Sequence, residues 1–138
     1  MGVILDTTVL IAAERRALRF DDLLGAIASE PIALSAVTAS ELLHGCHRAR
    51  DRGTRARRSA FVEGLLGALP ILPFGLVEAR RHAELWADLA GSGTLIGAHD
   101  MLIGATALAR GYALATLNQK DFARIAGLQL VPIEQFTT

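Results

Sequence analysis

Apolar positions along this chain come in short runs. Residues 2–6, Ile32-Ala33-Leu34-Ser35, Ile71-Leu72, Tyr112-Ala113-Leu114-Ala115-Thr116 and Leu128-Gln129-Leu130-Val131 each read as a brief strand. Between them the spacing of apolar residues turns helical. Helices are predicted at about 8–18, 21–29, 38–50, 54–67, 75–90 and 97–110. The breaks between elements have chemical causes. Pro31 stops the second helix, Gly53 marks a turn, Gly91-Ser92-Gly93 forms a loop, and Gly111 ends the last helix. Thr38 and Glu41 have the Thr-x-x-Glu spacing of a capping box. Pro70 and Pro73 bracket Ile71-Leu72 and place that strand near an edge.

Short apolar strands alternating with helices predict an α/β fold, with a central, mainly parallel sheet flanked by helices on both faces. There is no internal repeat, low-complexity tract or interdomain linker, so residues 1–138 are expected to form a single domain. In open sheets of this kind, ligands bind at the carboxyl ends of the strands. Asp6 ends the first strand, Ser35 ends the second, and Thr116 ends the fourth, with Asn118 and Asp121 just beyond. These sequence-distant groups are expected on one edge of the sheet.

Composition narrows the class. A hydrophobic fraction of 51% is ample for a core. No apolar run approaches the ~20 residues of a membrane helix. Asp6 interrupts the first apolar stretch and no basic segment precedes it, unlike a signal peptide, so a cytoplasmic protein is expected. Cys46 is the only cysteine, which excludes an intramolecular disulfide and a cysteine-based zinc site. Net charge is zero, but the cations are unevenly spread. Arg48, Arg50, Arg52, Arg55, Arg57 and Arg58 crowd one segment, either as a solvated face or as a strip for RNA phosphates or an acidic partner.

Three acids stand in apolar sequence. Asp6 ends Val3-Ile4-Leu5, Glu41 precedes Leu42-Leu43, and Asp100 precedes Met101-Leu102-Ile103. Each has a local explanation: Asp6 as a helix cap, Glu41 as half of the capping box, Asp100 at the positive end of a helix dipole. Together they suggest one shared task, because a buried carboxylate needs a partner or a metal. Carboxylate oxygens suit the hard cations Mg²⁺ and Mn²⁺. Thr7 and Thr116 have two readings, as groups that orient a carboxylate or a water or simply as turn residues. Weaker signals point elsewhere. Glu41-x-x-His44 imitates a di-metal helix motif, which the strand signals oppose. Gly91, Gly93 and Gly97 imitate a dinucleotide loop, but a helix precedes them where a strand is required. His99 adjoins Asp100, yet helix neighbours point different ways, which assigns it a structural or rim place.

The residues carry a family resemblance. Ile4-Leu5-Asp6-Thr7-Thr8 resembles the opening of PIN-domain nucleases, in particular the VapC toxins of bacterial toxin–antitoxin pairs. Ser40-Glu41-Leu42-Leu43-His44-Gly45 is similar to their central glutamate motif, and Ile96-Gly97-Ala98-His99-Asp100-Met101-Leu102-Ile103-Gly104-Ala105 to their third, the most specific. Thr116-Leu117-Asn118-Gln119-Lys120-Asp121-Phe122 resembles their fourth. The four motifs span essentially the whole chain in the family's order.

The resemblance implies a PIN fold and a Mg²⁺- or Mn²⁺-dependent endoribonuclease acting on RNA. It further implies neutralisation by a cognate VapB-like antitoxin, and a homodimer. It assigns Asp6, Glu41 and Asp100 as metal-binding acids. Many PIN domains carry a fourth acid where this chain has Asn118, so Asn118 is placed in the site with Asp121 in support. Two rivals follow from the same residues: a non-catalytic RNA- or protein-binding scaffold, and a small-molecule phosphohydrolase.

Overall fold

The structure is a computed structural model that describes residues 1–138. Five strands form one sheet: β1 (Val3–Leu5), β2 (Ile32–Ser35), β3 (Ile71–Leu72), β4 (Ala113–Ala115) and β5 (Leu130–Val131). Their spatial order is β3-β2-β1-β4-β5, and every neighbouring pair is parallel. The sheet is therefore wholly parallel, and β3 lies at its edge as the flanking prolines predict.

Seven helices surround it: α1 (Thr7–Glu14), α2 (Phe20–Ala26), α3 (Ala36–His47), α4 (Arg52–Ala68), α5 (Leu76–Gly91), α6 (Ala98–Arg110) and the single turn α7 (Gln119–Phe122). A 3₁₀ turn, Glu134–Phe136, closes the chain. No helix is long and apolar enough to cross a membrane.

Alternation along β1 divides the core. Val3 and Leu5 join one apolar cluster with Leu10, Leu34, Leu42 and Val62. Ile4 joins the other with Leu89, Ile103, Leu114 and Phe122. Both sheet faces are thus covered, which is why the strands read as unbroken apolar runs. Each fully buried leucine or isoleucine here contributes about 1.5–3 kcal/mol.

Helix ends differ from the sequence expectation where local chemistry intervenes. α1 stops at Glu14 because Arg16 turns into the left-handed region at φ 58°. The proposed capping box of Thr38 and Glu41 is absent. Ser35 is the cap instead, its hydroxyl accepting the Thr38 N–H at 3.1 Å, so α3 starts two residues earlier. Glu41 then lies in the second turn, and its carboxylate is free of capping work. Gly111 does end α6 at φ 68°. A long helix, α5, leads into Gly91 and Gly93, as the rejection of a dinucleotide loop requires.

Strand order reverses between β1 and β4. The chain steps from β1 to β2 to β3 on one side, then returns to place β4 on the other. Such a switch point opens a crevice at the strand carboxyl ends. Asp6 leaves β1 there and Thr116 leaves β4, and the Asp6 N–H bonds the Ala115 carbonyl at 2.9 Å.

Candidate acidic active site

Asp6 stands at the cap position of α1, but its side chain caps nothing. Its backbone carbonyl accepts from the Val9 and Leu10 N–H groups, while the carboxylate turns inward. Asp6 Oδ2 accepts from Thr116 Oγ1 at 2.6 Å and from Thr8 Oγ1 at 2.7 Å. Asp6 is 1% exposed and makes no ion pair. Two hydroxyls thus satisfy a buried carboxylate without neutralising it. Thr8 also accepts the Leu117 N–H at 3.0 Å, and Thr116 accepts the Asn118 N–H at 2.9 Å. These bonds lock the loop after β4 against the end of β1.

Glu41 reaches the same crevice from α3. Its Oε1 accepts from Thr7 Oγ1 at 2.6 Å, and Thr7 lies 3.0 Å from the Thr38 hydroxyl. Its Oε2 lies 3.2 Å from His99 Nδ1. Asp100 approaches from the first turn of α6. Asn118 Nδ2 donates to Asp100 Oδ2 at 3.0 Å and to Asp121 Oδ2 at 3.2 Å. Asn118 therefore sits between two carboxylates as a shared donor.

The electrostatics confirm one cluster. Burial pushes the Asp100 carboxyl up, and the charges of Asp6, Glu41 and Asp121 push it the same way, against the Asn118 bond. The one flanking cation, Arg124, is peripheral, reaching Asp121 only at 3.9 Å, and the His99 ring stands at the exposed rim. As the side chains stand, no three His, Cys, Asp or Glu groups form a ready ligand set. Each carboxylate is turned onto a hydroxyl or amide instead.

The model for the PIN domain matches residues 3–128, a span that contains Asp6, Glu41, Asp100, Asn118 and Asp121. Over 139 aligned residues the chain is 37% identical to Ribonuclease VapC1 of Rickettsia felis, covering 96% of this chain and 97% of that one. The chain belongs to the VapC branch of the PIN-domain family. It is also 31% identical to the tRNA(fMet)-specific endonuclease VapC of Salmonella typhimurium, over 70% of this chain and 71% of that one. Among solved structures it superposes on the Rickettsia felis VapBC2 complex bound to promoter DNA, with a TM-score of 0.85 and 26% identity. That match covers 95% of this chain and 98% of the other.

Against this PIN frame, the five residues singled out in the sequence lie together. Thr7 and Thr116 hold carboxylates, the first of the two readings open to them in the sequence. The site roles of Thr8 and Thr38 were not anticipated: Thr8 holds Asp6 only two residues away but meets Thr116 across 108 residues, and Thr38 meets Thr7 across 31. His99 is on the rim but is joined to Glu41. Burial itself is less uniform than the apolar surroundings suggest. Asp6 is fully buried, whereas Glu41 and Asp100 are partly open to the crevice.

Another acid, Glu78, is 2% exposed and has a structural task. It accepts the Gly75 N–H at 2.8 Å and Arg110 Nε at 2.9 Å. The Gly75 bond, then Arg110, hold its carboxyl below the usual range in spite of burial.

A groove of about 480 Å³ adjoins the acids, and Thr7, Glu41 and His99 are part of its lining. Leu10, Ile11, Leu42, Phe61 and Val62 line it, together with Arg15, His44, Arg48 and Arg58. The arginine segment divides accordingly. Arg58 is consumed by Glu14 at 3.1 Å and the Gly45 carbonyl at 2.9 Å, and Arg55 by the His47 carbonyl at 3.0 Å. Arg48 remains exposed on the groove wall.

Proposed function

We propose that this chain is a divalent-metal-dependent endoribonuclease, the toxin half of a toxin–antitoxin pair. The observation that carries this reading is the acidic cluster at the β1–β4 switch point, where Asp6 is buried without a cation. Oxygen-only donors and uncompensated negative charge fit Mg²⁺ or Mn²⁺. Asp6, Glu41 and Asp100 would hold the ion, with Asn118 as a neutral neighbour. When bound, such an ion stabilises charge on phosphate oxygens and activates water.

The rest of the site prepares those acids. Thr8 and Thr116 fix Asp6, Thr7 fixes Glu41, and Asn118 fixes Asp100 while Asp121 holds Asn118. Glu41 and Asp100 are partly open at the crevice, and unstacked nucleotides of single strands or loops can present their phosphates there more readily than a duplex. The names of the Rickettsia and Salmonella relatives support RNA, and a tRNA is the first substrate to try.

The antitoxin is a VapB-like chain, a reading supported by structural neighbours that are VapBC complexes. The groove beside Glu41 is lined by the buried apolar side chains of Leu10, Leu42 and Val62 and by the exposed Arg15 and Arg48, which suits a helix with one apolar face and acidic flanks. We also propose a homodimer. Leu76, Ala83, Trp86 and Ala87 follow one another along a single exposed side of α5, and such a stripe favours burial against a second copy.

The test is cleavage of RNA by the purified protein with Mg²⁺ or Mn²⁺, beside Asp100→Asn. Metal-dependent cleavage by the wild type alone supports the proposal. RNA binding without cleavage selects the scaffold. Turnover of a mononucleotide ester but not RNA selects the phosphohydrolase.

A further inference from the structure

Glu41 is the only acid of the cluster held on both oxygens by side chains from two other elements. Thr7, on α1, takes Oε1 at 2.6 Å, and His99, on α6, meets Oε2 at 3.2 Å. An ionised carboxylate only accepts, so the proton in the second contact belongs to His99 Nδ1. Fifty-eight residues separate His99 from Glu41, and the imidazole is 63% exposed. It is therefore not a core side chain that happens to graze an acid. Glutamate has one more rotatable bond than aspartate, and Glu41 is 30% exposed where Asp6 is buried. Of the acids in the cluster it most needs an external restraint to keep its oxygens toward the crevice.

We infer that His99 is a positioning residue for Glu41: its Nδ1–H fixes the carboxylate rotamer against α6 and so sets the affinity of the site for a divalent cation. This rests on the metal reading above. Groups that orient a metal-binding carboxylate typically change metal affinity by about 10–100-fold when removed. His99 also ties α3 to α6 beside the groove, because both His99 and Glu41 line it. The Glu41 restraint is thus also part of the groove wall.

The test uses Mn²⁺ alone, titrated into the full chain and followed by the electron paramagnetic resonance of free Mn²⁺. Three variants accompany the wild type: His99→Ala, His99→Asn and Asp100→Asn. Asn carries an amide N–H near the reach of Nδ1, so it keeps the bond without the ring. The expected result is about tenfold weaker Mn²⁺ binding in His99→Ala, recovery to within about twofold in His99→Asn, and loss in Asp100→Asn. Melting curves in EDTA should coincide for the wild type and both His99 variants, since an exposed side chain is replaced. Unchanged or tighter binding in His99→Ala overturns the inference, as does a His99→Asn defect equal to that of His99→Ala. A wild type that takes up no Mn²⁺ overturns the metal reading, and this inference with it.

Discussion

Asn118 Nδ2 lies between Asp100 Oδ2 at 3.0 Å and Asp121 Oδ2 at 3.2 Å, so the one uncharged member of the cluster donates to two acids at once. A carboxylate at this position would face both of them with like charge. Asn118→Asp should therefore destabilise the metal-free protein by roughly 1–2 kcal/mol, the scale of one pKa unit. Added Mn²⁺ should recover most of that loss. Melting curves in EDTA and in Mn²⁺ check this, and an unchanged curve in EDTA would show that Asn118 does not relieve repulsion.

Asp100 gives a pH signature. Burial, with the charges of Asp6, Glu41 and Asp121, holds its folded pKa above the ordinary carboxylate value. Folding then favours the protonated form. The stabilising contribution is complete below the unfolded pKa and is lost as pH rises through the raised folded value. In EDTA, Asp100→Asn should melt above the wild type at neutral pH. That gap should shrink on acidification through the carboxylate range. A gap that is constant with pH would contradict the assignment.

Glu78 works with the opposite sign and away from the site. Its depressed pKa contributes stability above the unfolded carboxylate value, and the contribution is lost as pH falls through the folded one. Glu78→Ala leaves the Gly75 N–H and Arg110 without their acceptor and should cost about 2–3 kcal/mol in urea unfolding. RNA cleavage per folded molecule should not change.

The exposed side of α5 predicts an assembly. Leu76 is 67% exposed and Trp86 53%. Leu76→Glu should give a monomer by light scattering after gel filtration, with an unaltered circular dichroism spectrum. A monomeric wild type would remove the homodimer.

All five strands were legible in the sequence, because a parallel sheet covered on both faces produces continuous apolar runs. Helix ends were legible where a residue dictates the backbone, as at Gly111, and not where two candidates compete. Ser35 and Thr38 can both cap α3, and only the position of β2 decides for Ser35. The turn α7 is too short for periodicity to register. The acids Asp6, Glu41 and Asp100 stood out by their apolar neighbours. That signal overlooked Glu78, whose burial comes from the packing of α5, and it could not reveal that Thr8 meets Thr116 or that Thr38 meets Thr7. Hydrogen bonds across tens of residues depend on which strand ends meet, and strand order is not written locally.

The central claim is that these carboxylates hold a divalent ion for RNA cleavage, and Asp6 is its most direct probe. Asp6→Asn retains an oxygen acceptor for the Thr8 and Thr116 hydroxyls while removing the charge. Cleavage of a tRNA should be measured across a Mn²⁺ titration for the wild type and for Asp6→Asn, each shown to be folded. The account predicts a wild-type rate that rises to saturation with Mn²⁺ and vanishes in EDTA, and a flat baseline for Asp6→Asn. Equal, Mn²⁺-dependent cleavage by both proteins, or cleavage that persists in EDTA, would contradict it.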